Sequence, residues 1–163
     1  MGGLRIGQGF DVHRFREGRA LVLCGVELPG QLGLDGHSDA DVALHALTDA
    51  LLGAVAAGDL GQHFPSTDLR WRDAESKVFL GRALDLVVEA GYRLANCDLT
   101  IIGEGPRIAV HRDAMRARLA ELLGVEAEQV SVKATTTDGL GFIGRGDGLA
   151  AMAIVLVEEE RDG

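Results

Sequence analysis

The nine residues Leu149-Ala-Ala-Met-Ala-Ile-Val-Leu-Val157 carry no polar side chain. Successive residues of a strand point to opposite faces, so a strand with water on one side alternates apolar and polar; this run does not. It belongs in the middle of a sheet that is covered on both faces. Further strands are predicted over Leu4–Val12, Ala20–Cys24, Cys97–Ile102 and Val130–Thr136. One helix is predicted from near Ser38 or Asp39 to about Ala57, with Ala43, Leu44, Leu47, Ala50, Leu51 and Ala54 on its apolar stripe. Two more run over Ala74–Ala90 and Arg112–Leu123, stopped by Gly91 and Gly124. Three helices suffice for one face of such a sheet and leave the other to a second copy of the chain. The expected fold class is α+β, a single compact domain over residues 1–163 with a mixed four-stranded sheet and helices packed on one face.

Charge and cysteine usage narrow the function classes. The net charge of −9 argues against a nucleic-acid partner, which calls for a surplus of Lys and Arg. An anionic ligand would have to be neutralised locally, by metal ions, backbone N–H groups and a few placed cations. Glycine, at 23 of 163 residues, is about twice its usual share, which implies tight turns and close backbone approaches. The two cysteines, Cys24 and Cys97, lie in apolar runs and read as buried free thiols. The chain enters a strand within a few residues, with no signal-like segment, and no apolar run approaches the roughly 20 residues of a membrane span. A cytoplasmic protein without a membrane partner is expected.

Asp11-Val12-His13 sets an acid and an imidazole on one face of the first strand. A hydrogen-bonded pair or a metal site would account for it. His45 favours the metal: it lies 32 residues beyond His13, off the core stripe of the first helix, where that helix can meet the Asp11/His13 face. One carboxylate and two imidazoles leave a fourth tetrahedral position open, as in catalytic zinc sites. Asp49, one turn on, is either an exposed carboxylate or a partner that orients His45. Ser38 with Asp41 fits a Ser-x-x-Asp helix cap, while His37 just outside it would face an anion held at the helix start. Thr135-Thr136-Thr137-Asp138 before a glycine-rich loop is either a threonine-rich strand end or a phosphate–metal assembly.

The ordered set Asp11-Val-His13, Gly36-His37-Ser38-Asp39-Ala40-Asp41, His45, Asp49, Asp59-Leu60-Gly61, Phe64-Pro65-Ser66-Thr67-Asp68, Val132-Lys133-Ala-Thr135-Thr136-Thr137-Asp138 and Leu140-Gly-Phe142-Ile-Gly144-Arg145-Gly146 resembles the 2-C-methyl-D-erythritol 2,4-cyclodiphosphate synthase family from about Arg5 to Leu156. That resemblance implies a lyase of the non-mevalonate isoprenoid pathway. It would convert 4-diphosphocytidyl-2-C-methyl-D-erythritol 2-phosphate to the cyclic diphosphate and release CMP. It implies zinc on Asp11, His13 and His45, and a second divalent cation, magnesium or manganese, near Asp138. His37 and Thr136 match catalytic, transition-state-stabilising positions, and Asp11, Val12, His13, His37 and Ser38 match substrate contacts. Asp59, Leu60 and Gly61 with Phe64, Pro65, Ser66, Thr67 and Asp68 match contacts to the methylerythritol phosphate. Gly103, Glu104, Gly105, Pro106, Arg107, Ile108 and Ala109, with Thr135, Thr136, Thr137 and Asp138, match contacts to the cytidine diphosphate; Phe142 and Arg145 also match substrate positions. The resemblance further implies a homotrimer with active sites between subunits, and a central cavity near Phe10, Arg145 and Asp147 that is associated with isoprenoid diphosphates. Three positions depart from the family pattern: Asp138 replaces a glutamate, Ser66 an aspartate, and Gly103–Arg107 forms a looser loop. The same metal set is also compatible with a zinc phosphodiesterase, or with a non-enzymatic binder of isoprenoid diphosphates.

Overall fold

The computed structural model describes residues 3–160. Its strands and helices run β1 (Leu4–Arg16), β2 (Leu21–Leu23), β3 (Val26–Leu28), β4 (Gly33–Leu34), α1 (Val42–Ala54), α2 (Leu60–His63), α3 (Ser76–Glu89), β5 (Tyr92–Ile102), α4 (Arg112–Leu123), β6 (Val130–Thr135), α5 (Gly141–Gly144) and β7 (Gly148–Glu159). The main sheet is mixed, in the order β4-β1-β7-β5-β6, and β2 and β3 form a separate ribbon. Thus β7, the uniformly apolar run, lies at its centre, paired antiparallel to both β1 and β5. The expected count of four strands is corrected to five. The extra strand is the two-residue β4, too short to show a period, held at the edge by Phe15 and Arg16.

One face of this sheet is covered. Leu99, Ile101, Val132, Ala151, Ala153, Val155 and Val157 are buried in one core with α1, α3 and α4. The other face is bare in a single chain: Ile6, Phe10, Met152 and Ile154 are all at least 40% exposed. The missing alternation in β7 therefore reflects two apolar faces, of which this chain's own helices cover only one.

The first helix begins later than predicted, at Val42, and Asp41 rather than Ser38 caps it, accepting the Leu44 N–H at 3.1 Å. Asp41 also accepts the backbone N–H groups of Cys24 and Gly25 from the turn of the β2–β3 ribbon. Its position thus depends on a segment remote in sequence, which no local capping rule reads. The helix is buried nearly all round, because β1, β7 and α3 all pack against it. Cys24 and Cys97 are free and buried, and burial pushes both thiols upward, Cys97 to about 12, so neither is poised as a nucleophile. Among the described residues no helix is long and apolar enough to cross a membrane.

Candidate metal centre and active site

Two glycines set the distance between α1 and β1. A Cβ at Gly7 would stand 1.8 Å from the Ala50 carbonyl oxygen, and one at Gly9 the same 1.8 Å from that of Ala46. Only glycine lets the helix backbone lie this close to the strand. Further along the same inner face of β1 come Asp11 and His13, and α1 brings His45 down onto them. Asp11 Oδ2 lies 2.9 Å from His13 Nε2 and 3.1 Å from His45 Nδ1, and the two imidazole nitrogens are 3.2 Å apart.

The protons on these rings are fixed from outside the cluster. His13 Nδ1 is 2.6 Å from the backbone oxygen of Asp35, which can only accept, so Nδ1 carries the hydrogen and in the neutral ring Nε2 keeps a lone pair. His45 Nε2 faces the hydroxyls of Ser76 at 2.8 Å and Ser38 at 3.1 Å. The Ser76 hydroxyl donates its one hydrogen to the Asp39 carboxylate, so its oxygen accepts from His45 Nε2. His45 Nδ1 is therefore left with its lone pair. With both rings neutral, three acceptors converge with no hydrogen among them, so the cluster calls for a positive charge, either a bound cation or an added proton. Ligand atoms on tetrahedral zinc, at ~2.0–2.1 Å from the metal, are roughly 3.3–3.4 Å apart, so the observed triangle fits within a few tenths of an ångström. Asp11, His13 and His45 form a group with the donor chemistry for a divalent metal.

Electrostatics agree. Burial works against the charge of Asp11, yet without a metal an added proton on the facing imidazoles takes the cation's place, and their hydrogen bonds outweigh burial and hold the carboxyl at about 2. Burial also works against a charged His13, but its bond to Asp11 prevails and raises it. Both shifts express one property: this point of the molecule stabilises one positive charge.

Around the triad lies a cavity of about 220 Å³, lined by His37, Ser38, Leu60, Phe64, Ser66 and Asp68 among others. His37 is exposed at its edge, and Ser38 is buried beside His45. Asp59 caps α2, accepting the Gln62 N–H at 2.9 Å, while Asp68 is turned onto Arg70 at 2.6 Å. Gly61, Pro65 and Thr67 are exposed on the same loop. Asp49 does not orient His45; it accepts the Leu60 N–H at 2.7 Å and so anchors the start of α2. Sequence reasoning missed Trp71, Arg72 and Phe79 in this lining. Phe64, Trp71 and Phe79 pack together, Trp71 edge-on to both phenyl rings, with centroids 4.5–6.0 Å apart. The available signal was scarcity: a chain with one Trp, one Tyr and five Phe places three of them here.

The remaining candidates form a second cavity of about 260 Å³, lined by Gly103, Glu104, Gly105, Pro106, Arg107, Ile108 and Ala109 together with Thr135, Thr136 and Arg112. Thr137 and Asp138 lie in the turn just beyond β6, which Glu104 ties down by accepting the Thr137 and Gly139 N–H groups at 3.2 and 3.3 Å. Asp138 is exposed and in the left-handed region, with φ +56°. Phe142, with Val12 and His13, lines a third hollow, and Arg145 bonds Asp147 at 3.3 Å. Strand register sets the metal triad and the Thr135 cavity at the same end of the sheet. Val12 pairs with Ala150, Ala150 with Ile102, and Ile102 with Thr135. Three strand spacings of ~4.8 Å separate them by roughly 14 Å. One chain thus carries the candidate residues in two separate cavities.

Comparison with known proteins gives the chain a family. The YgbB family model matches residues 4–158. The bifunctional enzyme IspD/IspF of Novosphingobium aromaticivorans is 60% identical over 94% of this chain, which spans only 40% of that relative's length. The 2-C-methyl-D-erythritol 2,4-cyclodiphosphate synthase of Halalkalibacterium halodurans is 56% identical over 94% of this chain and 98% of its own. A Plasmodium falciparum IspF structure, a CDP complex, is 31% identical with a TM-score of 0.86 and covers 98% of both chains. At that identity and near-complete mutual coverage, with the fold shared throughout, the chain belongs to the YgbB family, that of the 2-C-methyl-D-erythritol 2,4-cyclodiphosphate synthases.

Proposed function

We propose that residues 1–163 act as one cyclodiphosphate synthase domain. In this reading it closes 4-diphosphocytidyl-2-C-methyl-D-erythritol 2-phosphate to 2-C-methyl-D-erythritol 2,4-cyclodiphosphate with loss of CMP. The observation that carries this reading is the convergence of the Asp11, His13 and His45 ligand atoms beside a cavity suited to a small phosphorylated polyol. Zinc is the metal assigned to that triad, and magnesium or manganese the second cation near Asp138. Bound there, the cations neutralise charge on phosphoryl oxygens that would otherwise repel an attacking phosphate.

The chain's own groups do the rest. An attacking phosphate, with a second pKa of about 6, is already ionised near neutral pH, so no general base is needed. His37 and Thr136 would donate to phosphoryl oxygens as charge builds in the transition state, and Ser38 would hold the same group from the other side. Leu60, Phe64, Trp71 and Phe79 would exclude water from the methylerythritol end. The loop Gly103–Ala109 with Thr135 would seat the cytidine diphosphate.

The two cavities would serve one substrate if a neighbouring copy supplied the second of them. The bare face of Ile6, Phe10, Met152 and Ile154 supports a homotrimer with shared sites. Phe10, Arg145 and Asp147 would then border an axial cavity able to take an isoprenoid diphosphate. A reducing cytoplasm agrees with the two free, buried cysteines. The test is incubation with the diphosphocytidyl substrate and magnesium in ¹⁸O-labelled water, read by phosphorus NMR and mass spectrometry. Two coupled diphosphate resonances, CMP and no solvent oxygen in the product are expected. Solvent oxygen in the product would mean hydrolysis and overturn the reading.

A further inference from the structure

Ser76 and Asp39 stand behind the metal triad rather than in it. Ser76 is 0% exposed and lies outside the cavity lining. Its hydroxyl donates to Asp39 Oδ1, and its oxygen is 2.8 Å from His45 Nε2. Asp39 is itself fixed: its carboxylate accepts the backbone N–H of Ser76 at 3.0 Å and of Asp41 at 3.1 Å. The two loops are laced together on either side, Asp39 N to the Ala74 oxygen at 3.2 Å and Asp73 N to the His37 oxygen at 2.6 Å. A carboxylate with this many donors does not turn away to release the serine.

We propose that Asp39 and Ser76 are positioning residues that hold His45 as its Nε2–H tautomer and make its Nδ1 a stronger donor to a divalent cation. A carboxylate only accepts, so the single Ser76 hydrogen goes to Asp39, and the serine oxygen has only a lone pair to offer the ring. The negative charge of Asp39 polarises the hydroxyl, so that oxygen accepts more strongly, and electron density passes through the imidazole to Nδ1. Ser38, 3.1 Å from the same nitrogen, is the weaker acceptor because its oxygen also receives the Ala40 N–H at 3.1 Å, and its own hydrogen has the Ser76 oxygen as an acceptor at 3.4 Å. The Asp39–Ser76 pair places a charge behind His45 without exposing that charge in the cavity, where it would repel a phosphate.

This inference rests on the metal reading of the triad, and the experiment separates the two. Zinc affinity is measured by chelator competition at one pH for wild type, Ser76→Ala and Asp39→Asn, alongside the melting temperature of each zinc-free protein. Ser76→Ala should bind zinc ~10–100-fold more weakly and Asp39→Asn should lose less, because its side-chain oxygen still accepts from the serine. In zinc-loaded wild type, long-range ¹H–¹⁵N spectra of the histidine side chains should show His45 with hydrogen on Nε2 and metal on Nδ1. That spectrum needs no variant, so it decides the matter even if Ser76→Ala does not fold. Zinc on Nε2, or a folded Ser76→Ala with wild-type affinity, would overturn the Asp39–Ser76 relay while leaving the metal site. A wild-type protein that binds no zinc would overturn both.

Discussion

Replacing Gly9 by alanine asks whether the metal centre depends on how closely α1 lies on β1. A Cβ there would stand 1.8 Å from the Ala46 carbonyl oxygen and 2.8 Å from its carbon, both backbone atoms. To reach even ~3.2 Å the helix must withdraw by roughly 1.4 Å, because no side-chain rotamer can yield instead. His45, next in sequence to Ala46, moves with it. Metal–ligand distances tolerate only about 0.2 Å, so Nδ1 would leave coordination, and zinc affinity should fall by more than ~100-fold. Overpacking of this kind costs ~1–3 kcal/mol, which in a domain of this size lowers the melting temperature by roughly 2–12 °C. Gly7→Ala supplies the contrast: its Cβ meets Ala50 oxygen at the same 1.8 Å, but more than a turn beyond His45. It should destabilise comparably and weaken zinc binding less. Gly53→Ala is the control, with nothing nearer than the Gln8 oxygen at 4.0 Å, and should stabilise α1 by ~0.5–1 kcal/mol. The assays are thermal melts of zinc-free protein and zinc titration against a chelator. Wild-type zinc affinity in a folded Gly9→Ala protein would show that helix–strand separation does not set the site.

Light scattering of wild type should give about three times 17.2 kDa. Ile154→Asp, on the bare sheet face, should give a monomer that keeps its zinc and loses CMP release; an active monomer would rule out shared sites. Asp138 is one methylene shorter than the glutamate it replaces, so Asp138→Glu should hold or tighten the magnesium requirement and Asp138→Ala raise it. Superimposable magnesium titrations of CMP release for wild type and Asp138→Ala would remove this carboxylate from the second cation. Asp41 gives a pH prediction: burial, only partly offset by the Gly25 and Leu44 N–H groups, pushes it up from 3.8 to about 6. Its folded form favours the proton, so its contribution is full below about pH 4 and is lost as pH rises through 6, amounting to ~3 kcal/mol. Denaturant unfolding of zinc-free wild type against Asp41→Asn should show that loss only in wild type, and parallel pH profiles would count against it.

The elements most legible in the sequence were those with a strong period or an uninterrupted apolar run. The run Leu149–Val157 does lie at the sheet centre, and the four-residue recurrence on α1 does put His45 over Asp11 and His13. Local rules failed where a remote partner decides. Ser38-x-x-Asp41 has the form of a cap, but Asp41 takes that role because Cys24 and Gly25 bring two more N–H groups to it. Asp49 falls on the stripe of His45, yet the Leu60 N–H draws it toward α2. Each is a polar side chain with two plausible neighbours, and the burial that chooses between them is tertiary.

The same limit applies within the metal site, where it bears on chemistry. Asp-x-His on a strand and a histidine on a helix identify three ligand residues, but each imidazole has two nitrogens, and the motif does not say which one faces the metal. For His13 that choice is made by the Asp35 carbonyl, a backbone group that leaves no mark in residue identity. For His45 it is made by Ser76, 31 positions away at the first turn of another helix, with Asp39 behind it. A chain with the same triad and alanine at position 76 would carry the same motif. Its His45 would keep only the shared hydroxyl of Ser38, and its hold on a cation would be weaker. Ligand identity is written locally; the direction of the lone pairs is written by the fold.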